Sequence, residues 1–261
     1  MKIKVKTKFK KFIELVEPKL PTLLIKIIEL TIGTRFKSFS FYGEDAILQG
    51  ILKRYKFIFG RELELSYIDI GGWRPVKGSN TYFLYRKKLY GTVVEPNPYF
   101  KKIYTAVRPH DVYLEVGCHV DNQTSLYRFN KSAASNSMDL VFAKSISKVQ
   151  NVRIQDQITV NCLTLDEIVT SHLKHYSKPF ILDIDIEGSD YDVINSFSFK
   201  DHLRPCLVII EDWIGVEEKI QSSRITLHLE NYGYELIGGS VLTSIFVDKK
   251  SELFSVFKKQ Y

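Results

Sequence analysis

Residues 65–72, which read LSYIDIGG, decide the fold of this chain. The stretch is a short, mostly apolar run that ends in Asp69, Ile70 and two glycines. Apolar runs of this length that stop at glycine are typical of a buried parallel strand entering a tight turn. The stretch therefore predicts a central strand, and the two glycines predict a place where the backbone can approach a ligand closely.

The same pattern of strand and turn is repeated along the chain. Four further apolar runs predict strands at 92–95, 112–116, 180–187 and 206–212. Helices are expected near 79–89, with Ser79 as cap, and near 99–106, 189–197 and 216–231. The last segment, 234–248, predicts a hairpin turned by Gly238 and Gly239. This alternation predicts an α/β fold, a mostly parallel sheet with helices on both faces.

Two segments depart from that pattern and define the domain organisation. Residues 1–37 form a basic, amphipathic N-terminal extension, and residues 38–261 form one domain with an inserted hairpin and loop at about 121–165. Six lysines in the first 11 residues account for most of the net charge of +7, so the rest of the chain carries only +1. A nucleic-acid binder usually carries its basic patch on the folded body. The charge distribution therefore predicts no nucleic-acid partner.

The extension has two possible uses. Apolar residues at helical spacing between Leu20 and Leu30 follow the lysine run. Such a helix can lie on an anionic membrane surface. The alternative is a helix that packs on the body of the protein or on a second copy in a homodimer.

Composition excludes several classes of protein. The chain is 44% hydrophobic and 26% charged, which is ordinary for a globular protein. Its longest charge-free run, 236–247, has 12 residues, whereas a membrane span needs about 18–20. The three cysteines form no CxxC pair, and no signal peptide is apparent. We expect buried thiols and a cytoplasmic protein, either free or peripheral on the inner face of the cell membrane.

Acidic residues stand at the carboxyl ends of the predicted strands, where ligands bind in open parallel sheets. Asp69 lies just before Gly71 and Gly72, and Glu95 ends the second strand. A carboxylate at the latter position can accept hydrogen bonds from both hydroxyls of a ribose. Because no GxGxxG pattern is present, an adenosine ligand without phosphates fits better than a dinucleotide.

The stretch 180–187, FILDIDIE, is the richest in acids. Alternation along a strand would place Asp183, Asp185 and Glu187 on one face, about 6.5–7 Å apart. A metal, a sulfonium or amine ligand, or a nearby Arg or Lys should offset them. Glu211 and Asp212 end the neighbouring strand, so Mg²⁺ could lie between these four groups: Asp185, Glu187, Glu211 and Asp212. Salt bridges and helix caps are the alternative use of these acids.

Taken together, these segments resemble the FkbM-type S-adenosylmethionine-dependent methyltransferase family. The resemblance covers about 38–250 and rests on FSFYGEDAIL (39–48), YIDIGGWRPVKGSNTYFLY (67–85), GTVVEPNP (91–98), RPHDVYLEVG (108–117), LTLDEI (163–168), LDIDIEGSDYDVI (182–194) and RPCLVIIED (204–212). It implies a class I methyltransferase fold, Rossmann-like, with seven strands of which the last is antiparallel. It also implies O-methylation of sugar or polyketide hydroxyls, often in bacterial surface glycans, so a glycan or glycolipid is the expected acceptor.

The resemblance also assigns roles to residues. Asp69, Gly71 and Gly72 would hold the methionine end of S-adenosylmethionine, and Glu95 would bind its ribose. The remaining residues expected in the donor pocket are Ser79, Asn80, Asn97 and Asp183. On chemical grounds, and not from the resemblance, we expect Asp185 to remove the proton of the acceptor hydroxyl, directly or through bound Mg²⁺, with Glu187, Glu211 and Asp212 completing the site.

The chain departs from its relatives at two places. Gly72, Trp73 and Arg74 replace an Ala-His-His that relatives often carry, so any role of those histidines is in doubt here. Asp183 stands where relatives commonly have Lys or Ser. This extra acid favours either a metal or a local salt bridge to Arg74 or Lys77.

Two other functions compete with methyl transfer. Asp183 and Asp185 form a DxD pattern at a strand end, which in glycosyltransferases holds a metal-bound nucleotide sugar; the glycine turn and Glu95 would then have no task. The altered turn and the basic tail also fit a non-catalytic scaffold of methyltransferase fold. A nicotinamide-dependent oxidoreductase lacks the phosphate-binding glycines.

Overall fold

The computed structural model describes residues 38–177, 179–212 and 223–258. The expectations for 1–37, and the first part of the helix expected at 216–231, lie outside these residues. Within these ranges, no helix is long and apolar enough to cross a membrane.

The described chain alternates strands and helices. The strands are β1 (Ser66–Ile70), β2 (Gly91–Val94), β3 (Val112–Leu114), β4 (Gly117–Cys118), β5 (Gln123–Arg128), β6 (Asp156–Leu163), β7 (Phe180–Ile184), β8 (Leu207–Glu211), β9 (Tyr234–Gly239) and β10 (Thr243–Asp248). The helices are α1 (Glu44–Phe59), α2 (Tyr82–Arg86), α3 (Lys101–Val107), α4 (Leu140–Val149), α5 (Leu165–His175), α6 (Asp190–Ser196), α7 (Arg224–Asn231) and α8 (Ser255–Lys258), the last preceded by a 3₁₀ turn at Glu252–Phe254.

Seven of the strands form one sheet in the order β3-β2-β1-β7-β8-β10-β9. The pairs from β3 to β8 are parallel, and β10 is antiparallel to both β8 and β9. The prediction of a mixed α/β fold with a mostly parallel seven-stranded sheet is confirmed. This order is consistent with the methyltransferase fold that the resemblance implies.

Helices cover both faces of the sheet because its strands are apolar on both sides. In β7, Leu182 packs on the side of α5, α6 and α7, and Ile181 packs on the side of α1, α2 and α8. Each such side chain contributes about 1.5–3 kcal/mol when it is fully buried. The three cysteines are buried free thiols, as predicted.

A second, three-stranded sheet of β4, β6 and β5 lies within 117–163. The expected hairpin is present as the antiparallel pair β5 and β6. The segment between these strands contains helix α4, where the sequence predicted a loop. Asp139 caps this helix, since its carboxylate accepts hydrogen bonds from the backbone N–H groups of Val141 and Phe142.

Strand β7 is shorter than predicted, and this changes the position of Glu187. The strand ends at Ile184, and the chain then turns, with Glu187 at φ 59° and Gly188 at φ 113°. The Asp190 carboxylate holds this turn by accepting hydrogen bonds from the backbone N–H groups of Ile186 and Gly188, at 3.0 and 3.1 Å. The prediction that strand alternation extends to Glu187 was therefore wrong.

Two other local predictions also need correction. Gly238 and Gly239 belong to β9, and the hairpin turns at 240–242, where Ser240 N–H donates to the Thr243 carbonyl. Helix α2 begins at Tyr82, with Thr81 rather than Ser79 at its N-cap position. The Ser79 hydroxyl nevertheless accepts a hydrogen bond from the Tyr82 N–H at 3.1 Å, so it performs the expected capping from outside the helix.

The start of β2 allows a test of close backbone packing. A Cβ at Gly91 would lie 2.2 Å from the Tyr67 carbonyl oxygen, so we expect Gly91→Ala to lower the free energy of unfolding by about 1–3 kcal/mol. Gly50 in α1 has nothing within 4 Å of such a Cβ, and Gly50→Ala should raise it by about 0.5–1 kcal/mol. Urea denaturation measures both, and an equal effect of the two changes would contradict the packing described here.

Candidate functional site

A cavity of about 380 Å³ opens at the carboxyl edge of β1, β7 and β8. We call it the acidic cavity because six carboxylic acids line it: Glu44, Asp69, Asp183, Asp185, Glu187 and Glu211. No lysine or arginine of the described chain lines it. Its volume lies within the roughly 300–1,000 Å³ of small-molecule sites.

A smaller cavity of about 40 Å³, the inner pocket, adjoins the acidic cavity. Glu95, Asn97 and Met138 line it, and it shares Trp73 and Asp185 with the acidic cavity. A cavity of this size holds only a few water molecules. Because they share Trp73 and Asp185, the two cavities lie next to each other at the carboxyl ends of β1, β2 and β7.

A buried arginine stands behind the acidic cavity. Arg108 is 1% exposed, and its guanidinium donates to Asp111 at 2.6 Å and to the hydroxyls of Tyr67 and Thr81 at 2.9 and 3.0 Å. Its Nη1 lies 3.7 Å from Asp69 Oδ2. The hydroxyl of Thr81 also donates to Asp69. Arg108 is thus the buried cation that faces the carboxyl end of β1.

Asp69 and Asp183 lie side by side in the register of β1 and β7. Burial raises the pKa of Asp69, and Arg108 and Thr81 oppose that rise. Asp183 receives a hydrogen bond from the Asn80 amide at 3.2 Å. Burial first, and the charge of Asp69 second, raise its pKa well above the usual range. The predicted salt bridge from Asp183 to Arg74 or Lys77 is not present; the Asn80 amide bonds to it instead.

Asp185 presents its carboxyl to both cavities. It directly follows β7, and its N–H donates to the Ile70 carbonyl. Part of the Asp185 surface is exposed to water, but the protein groups packed around its carboxyl replace much of the water there. This partial desolvation first, and the charges of Asp190 and Asp69 next, raise its pKa to about 7. Within the described residues, no side chain or backbone N–H is bonded to this carboxyl, so it is available to a ligand.

Glu187 lies beside Asp185 although it is not on the strand. Both residues line both cavities. Burial, together with the charges of Asp185 and Asp190, raises the pKa of Glu187 to about 8. The turn held by Asp190 therefore brings to the cavity a carboxyl that the predicted strand alternation would also have placed there.

Glu95 lies at the wall of the inner pocket, directly after β2. Its two oxygens accept hydrogen bonds from the N–H groups of Trp73 and Asn97, at 2.9 and 2.7 Å. Burial nevertheless raises its pKa to about 7. Asn97 donates its amide to the Lys131 carbonyl at 3.0 Å. Glu95 and Asn97, both predicted to bind the methyl donor, thus line the same pocket, and each also forms a hydrogen bond with nearby backbone.

The two glycines after β1 are required by packing within the protein. Gly71 has φ 88°, and a Cβ there would lie 1.8 Å from the Asp185 carbonyl oxygen. A Cβ at Gly72 would lie 2.4 Å from Cγ1 of Val93. Both glycines also line the acidic cavity, as do Ser79 and Asn80.

The predicted metal site is not formed by the residues assigned to it. No group of three or more His, Cys, Asp or Glu side chains in the described ranges is placed to hold a metal ion. Asp185, Glu187 and Glu211 do line the acidic cavity, but Asp212 does not. The Asp212 carboxylate instead receives hydrogen bonds from Ser223 and Ser244, at 2.7 and 3.5 Å. The four acids assigned to the metal are thus divided, three in the cavity wall and Asp212 bonded to serine hydroxyls.

The sequence predicted most of the acids that line the cavity, but not the residues that hold those acids and the nearby turns in position. Asp69, Asp183, Asp185 and Glu187 come together as expected, whereas Arg108, Thr81, Asp190 and Glu44 were not singled out. Arg108 and Asp111 were present in the RPHD text at 108–111. The available signal was this basic and acidic pair, three positions apart and just before a strand. It could not indicate the contact of Arg108 with Asp69, because Asp69 is distant in sequence.

A larger cavity, of about 1220 Å³, lies at the opposite edge of the sheet, near the first residues of β7 and β8. Its walls contain ion pairs between exposed side chains, such as Lys56–Glu62 and Lys250–Asp201. Ligands of open parallel sheets bind at the carboxyl edge. We therefore place the candidate site in the acidic cavity despite its smaller volume.

The role of Arg108 can be tested by removing its charge. We expect Arg108→Met to lower the free energy of unfolding by about 3–5 kcal/mol, because Asp111 and Asp69 would remain buried without their cation. The exposed pair Lys56–Glu62 provides the control, and Lys56→Met should cost less than about 1 kcal/mol. Chemical denaturation measures the free energy of unfolding of both variants. If Arg108→Met lowers it no more than the control does, the role of Arg108 is contradicted.

One of three comparisons with known proteins found a match. Searches of curated proteins and of solved structures returned no match. The family model of the FkbM methyltransferase domain matches residues 69–236, which is more than half of the chain. The matched region begins at Asp69 and contains the acids at the ends of β1, β2, β7 and β8. The chain belongs to the FkbM methyltransferase domain family.

Proposed function

We propose that this protein transfers a methyl group from S-adenosylmethionine to a hydroxyl of a glycan or glycolipid. Family membership supports methyl transfer, and S-adenosylmethionine is the usual donor of such enzymes. The observation that carries the proposal is the Asp185 carboxyl, which faces the cavity, is free of protein hydrogen bonds within the described ranges, and has a pKa raised to about 7.

The residues around the cavities fit parts of the donor. The methionine end of S-adenosylmethionine would lie in the acidic cavity, which has a volume of about 380 Å³. The cavity residues beside it would be Gly71, Gly72, Ser79 and Asn80. The ribose would lie at Glu95, but the inner pocket there is only about 40 Å³. Binding of the nucleoside therefore requires that pocket to widen. Ala133 and Met138, in the segment before α4, form part of its wall, and their movement would provide the space.

When bound, the donor supplies an electrophilic methyl group on a sulfonium. The protein aligns the two reacting groups, which can account for much of the rate enhancement. Asp185 would accept the proton of the acceptor hydroxyl while the hydroxyl oxygen bonds to the methyl carbon and the bond from that carbon to sulfur breaks, which leaves S-adenosylhomocysteine as the second product. A base whose pKa lies close to the working pH is the most effective at this task.

The two rival functions have less support. A DxD glycosyltransferase needs a metal held by Asp183 and Asp185, and in the described residues neither belongs to a group of three or more side chains placed to hold a metal ion. Asp183 also bonds to Asn80 and has a strongly raised pKa. A non-catalytic scaffold would make no use of the Asp185 carboxyl. Membrane contact through 1–37 and a homodimer stay predictions.

Removing the base should strongly slow turnover but leave the fold intact. We expect Asp185→Asn to lower the rate of methyl transfer by about 10²–10⁴-fold. Asp192 is an exposed acid of α6, and Asp192→Asn should keep the wild-type rate. Transfer of radiolabelled methyl to a panel of methyl pyranosides measures both. Full activity of Asp185→Asn would eliminate Asp185 as the base.

The reaction should depend on pH through the ionisation of Asp185. Only the carboxylate form accepts a proton, and the pKa is raised to about 7. The rate should therefore fall as the pH drops below about 7 and level off above it. A rate that stays constant from pH 5 to 7 would show that a group with an ordinary carboxyl pKa, or no base, serves the reaction.

Chelation provides a separate test of the metal. Because no metal ligand group is formed by the described residues, we expect EDTA to leave the affinity for S-adenosylhomocysteine unchanged. Calorimetric titration with excess Mg²⁺ and with EDTA measures this. A loss of affinity in EDTA that Mg²⁺ restores would revive the predicted metal site.

A further inference from the structure

Two aromatic rings form part of the wall of the acidic cavity. The ring centroids of Phe41 and Trp73 are 5.7 Å apart, and their planes differ by 32°. Phe41 is 56% exposed, which leaves much of the phenyl ring uncovered by protein. Both residues line the cavity. We call this pair the aromatic platform.

The protein holds the platform firmly in place. Trp73 has φ 40°, a conformation that is rare for a bulky side chain. Its backbone N–H donates to Glu95 at 2.9 Å, and its indole N–H donates to the Ser132 carbonyl at 3.0 Å. Strained backbone of this kind persists where the surroundings fix it, and it is concentrated at ligand sites.

Gly78 lets the two rings approach each other. It has φ 77°, and a Cβ there would lie 2.6 Å from Cε2 of Phe41 and 3.1 Å from Cζ3 of Trp73. Any larger residue would therefore push the rings apart. The platform depends on a turn that the chain forms at this position, not on chance contact between surface side chains.

The charge around the platform favours a cation. Arg74 lies over the Trp73 ring at 5.4 Å, and Lys77 lies over the Phe41 ring at 6.0 Å. These two cations would repel an ammonium at the same ring faces, so a cationic group of the ligand must point away from them, toward the acids of the cavity. Neither of these residues lines the acidic cavity.

The cavity wall offers carboxyl groups and no basic side chain of the described chain. Asp183 is suited to stay neutral, whereas Asp185 and Glu187 have pKa values of about 7 and 8. A cationic ligand would favour the ionised form of these two groups, and an anionic acceptor would oppose it.

We propose that Phe41 and Trp73 form the acceptor platform, and that the ring they hold carries a protonated amine. The apolar face of a sugar ring would stack on the aromatic side chains. Its ammonium group would face the carboxylates, and its hydroxyl would reach Asp185. This inference rests on the proposed function, because it assigns the acceptor of the same reaction.

Three ligands that differ in charge test the proposal. With S-adenosylhomocysteine present, the affinities of methyl glucosaminide, its N-acetyl derivative and methyl glucuronide are measured by NMR titration of the full chain. We expect the ammonium-bearing ring to bind about tenfold more tightly than the neutral ring, and the glucuronide to bind most weakly. Equal affinities, no binding of any of the three, or preference for the glucuronide would overturn the proposal.

A pair of phenylalanine variants tests the platform itself. Phe41→Ala should lose about tenfold in affinity for methyl glucosaminide. Phe57→Ala should bind it as the wild type does, because Phe57 is 72% exposed on α1 and lines neither cavity of the candidate site. An equal effect of the two variants overturns the assignment. An equal loss of S-adenosylhomocysteine affinity in Phe41→Ala would show a general defect and also overturn it.

Titration of S-adenosylhomocysteine into the wild-type protein separates the two levels of inference. If it does not bind, the proposed methyl transfer fails and this inference fails with it. If it binds while the three sugars show no preference for the amine, only the acceptor assignment fails.

Discussion

The carboxyl edge of this sheet depends on one buried ionic interaction, that of Arg108 with Asp111 and Asp69. A guanidinium that is 1% exposed is stable only where several acceptors surround it. It joins the end of β1, the Ser79–Thr81 segment before α2 and the approach to β3 through hydrogen bonds to Ser79, Thr81, Tyr67 and Asp111. The position of Asp69 at the cavity follows from this arrangement. No lysine or arginine of the described chain lines the cavity beside Asp183, Asp185 and Glu187.

That imbalance gives the cavity its chemistry. Asp183, Asp185 and Glu187 are close together in a desolvated place, so the pKa of each is raised. They differ in what surrounds them. Asp183 bonds to Asn80, and its pKa is raised well above the usual range, whereas Asp185 faces open space and its pKa is raised to about 7. One residue is therefore suited to stay neutral within the wall, and the other is suited to exchange a proton with a ligand near neutral pH.

The sequence predicts those features that depend on local pattern. The strands, the acids at their ends and the parallel sheet all follow from short apolar runs stopped by glycine. Three features escaped prediction because they depend on contacts distant in sequence or on unusual backbone. Arg108 meets Asp69 across 39 positions, Glu187 reaches the cavity through a turn with positive φ, and helix α4 begins in text rich in Ser and Asn. The turn predicted at Gly238 and Gly239 was wrong because both glycines pair with β10 as part of β9. A glycine marks a turn only where the strand pairing does not continue through it.

The proposed methyl transfer depends most directly on where S-adenosylmethionine binds. A crystal structure of the protein with S-adenosylhomocysteine should show the methionine end along Gly71 and Gly72 and the ribose hydroxyls at Glu95. The inner pocket, about 40 Å³ without ligand, should be widened by movement of the segment before α4. A ligand bound in the cavity at the opposite edge of the sheet, or at the carboxyl edge without contact to Glu95 or the glycine turn, would contradict the account.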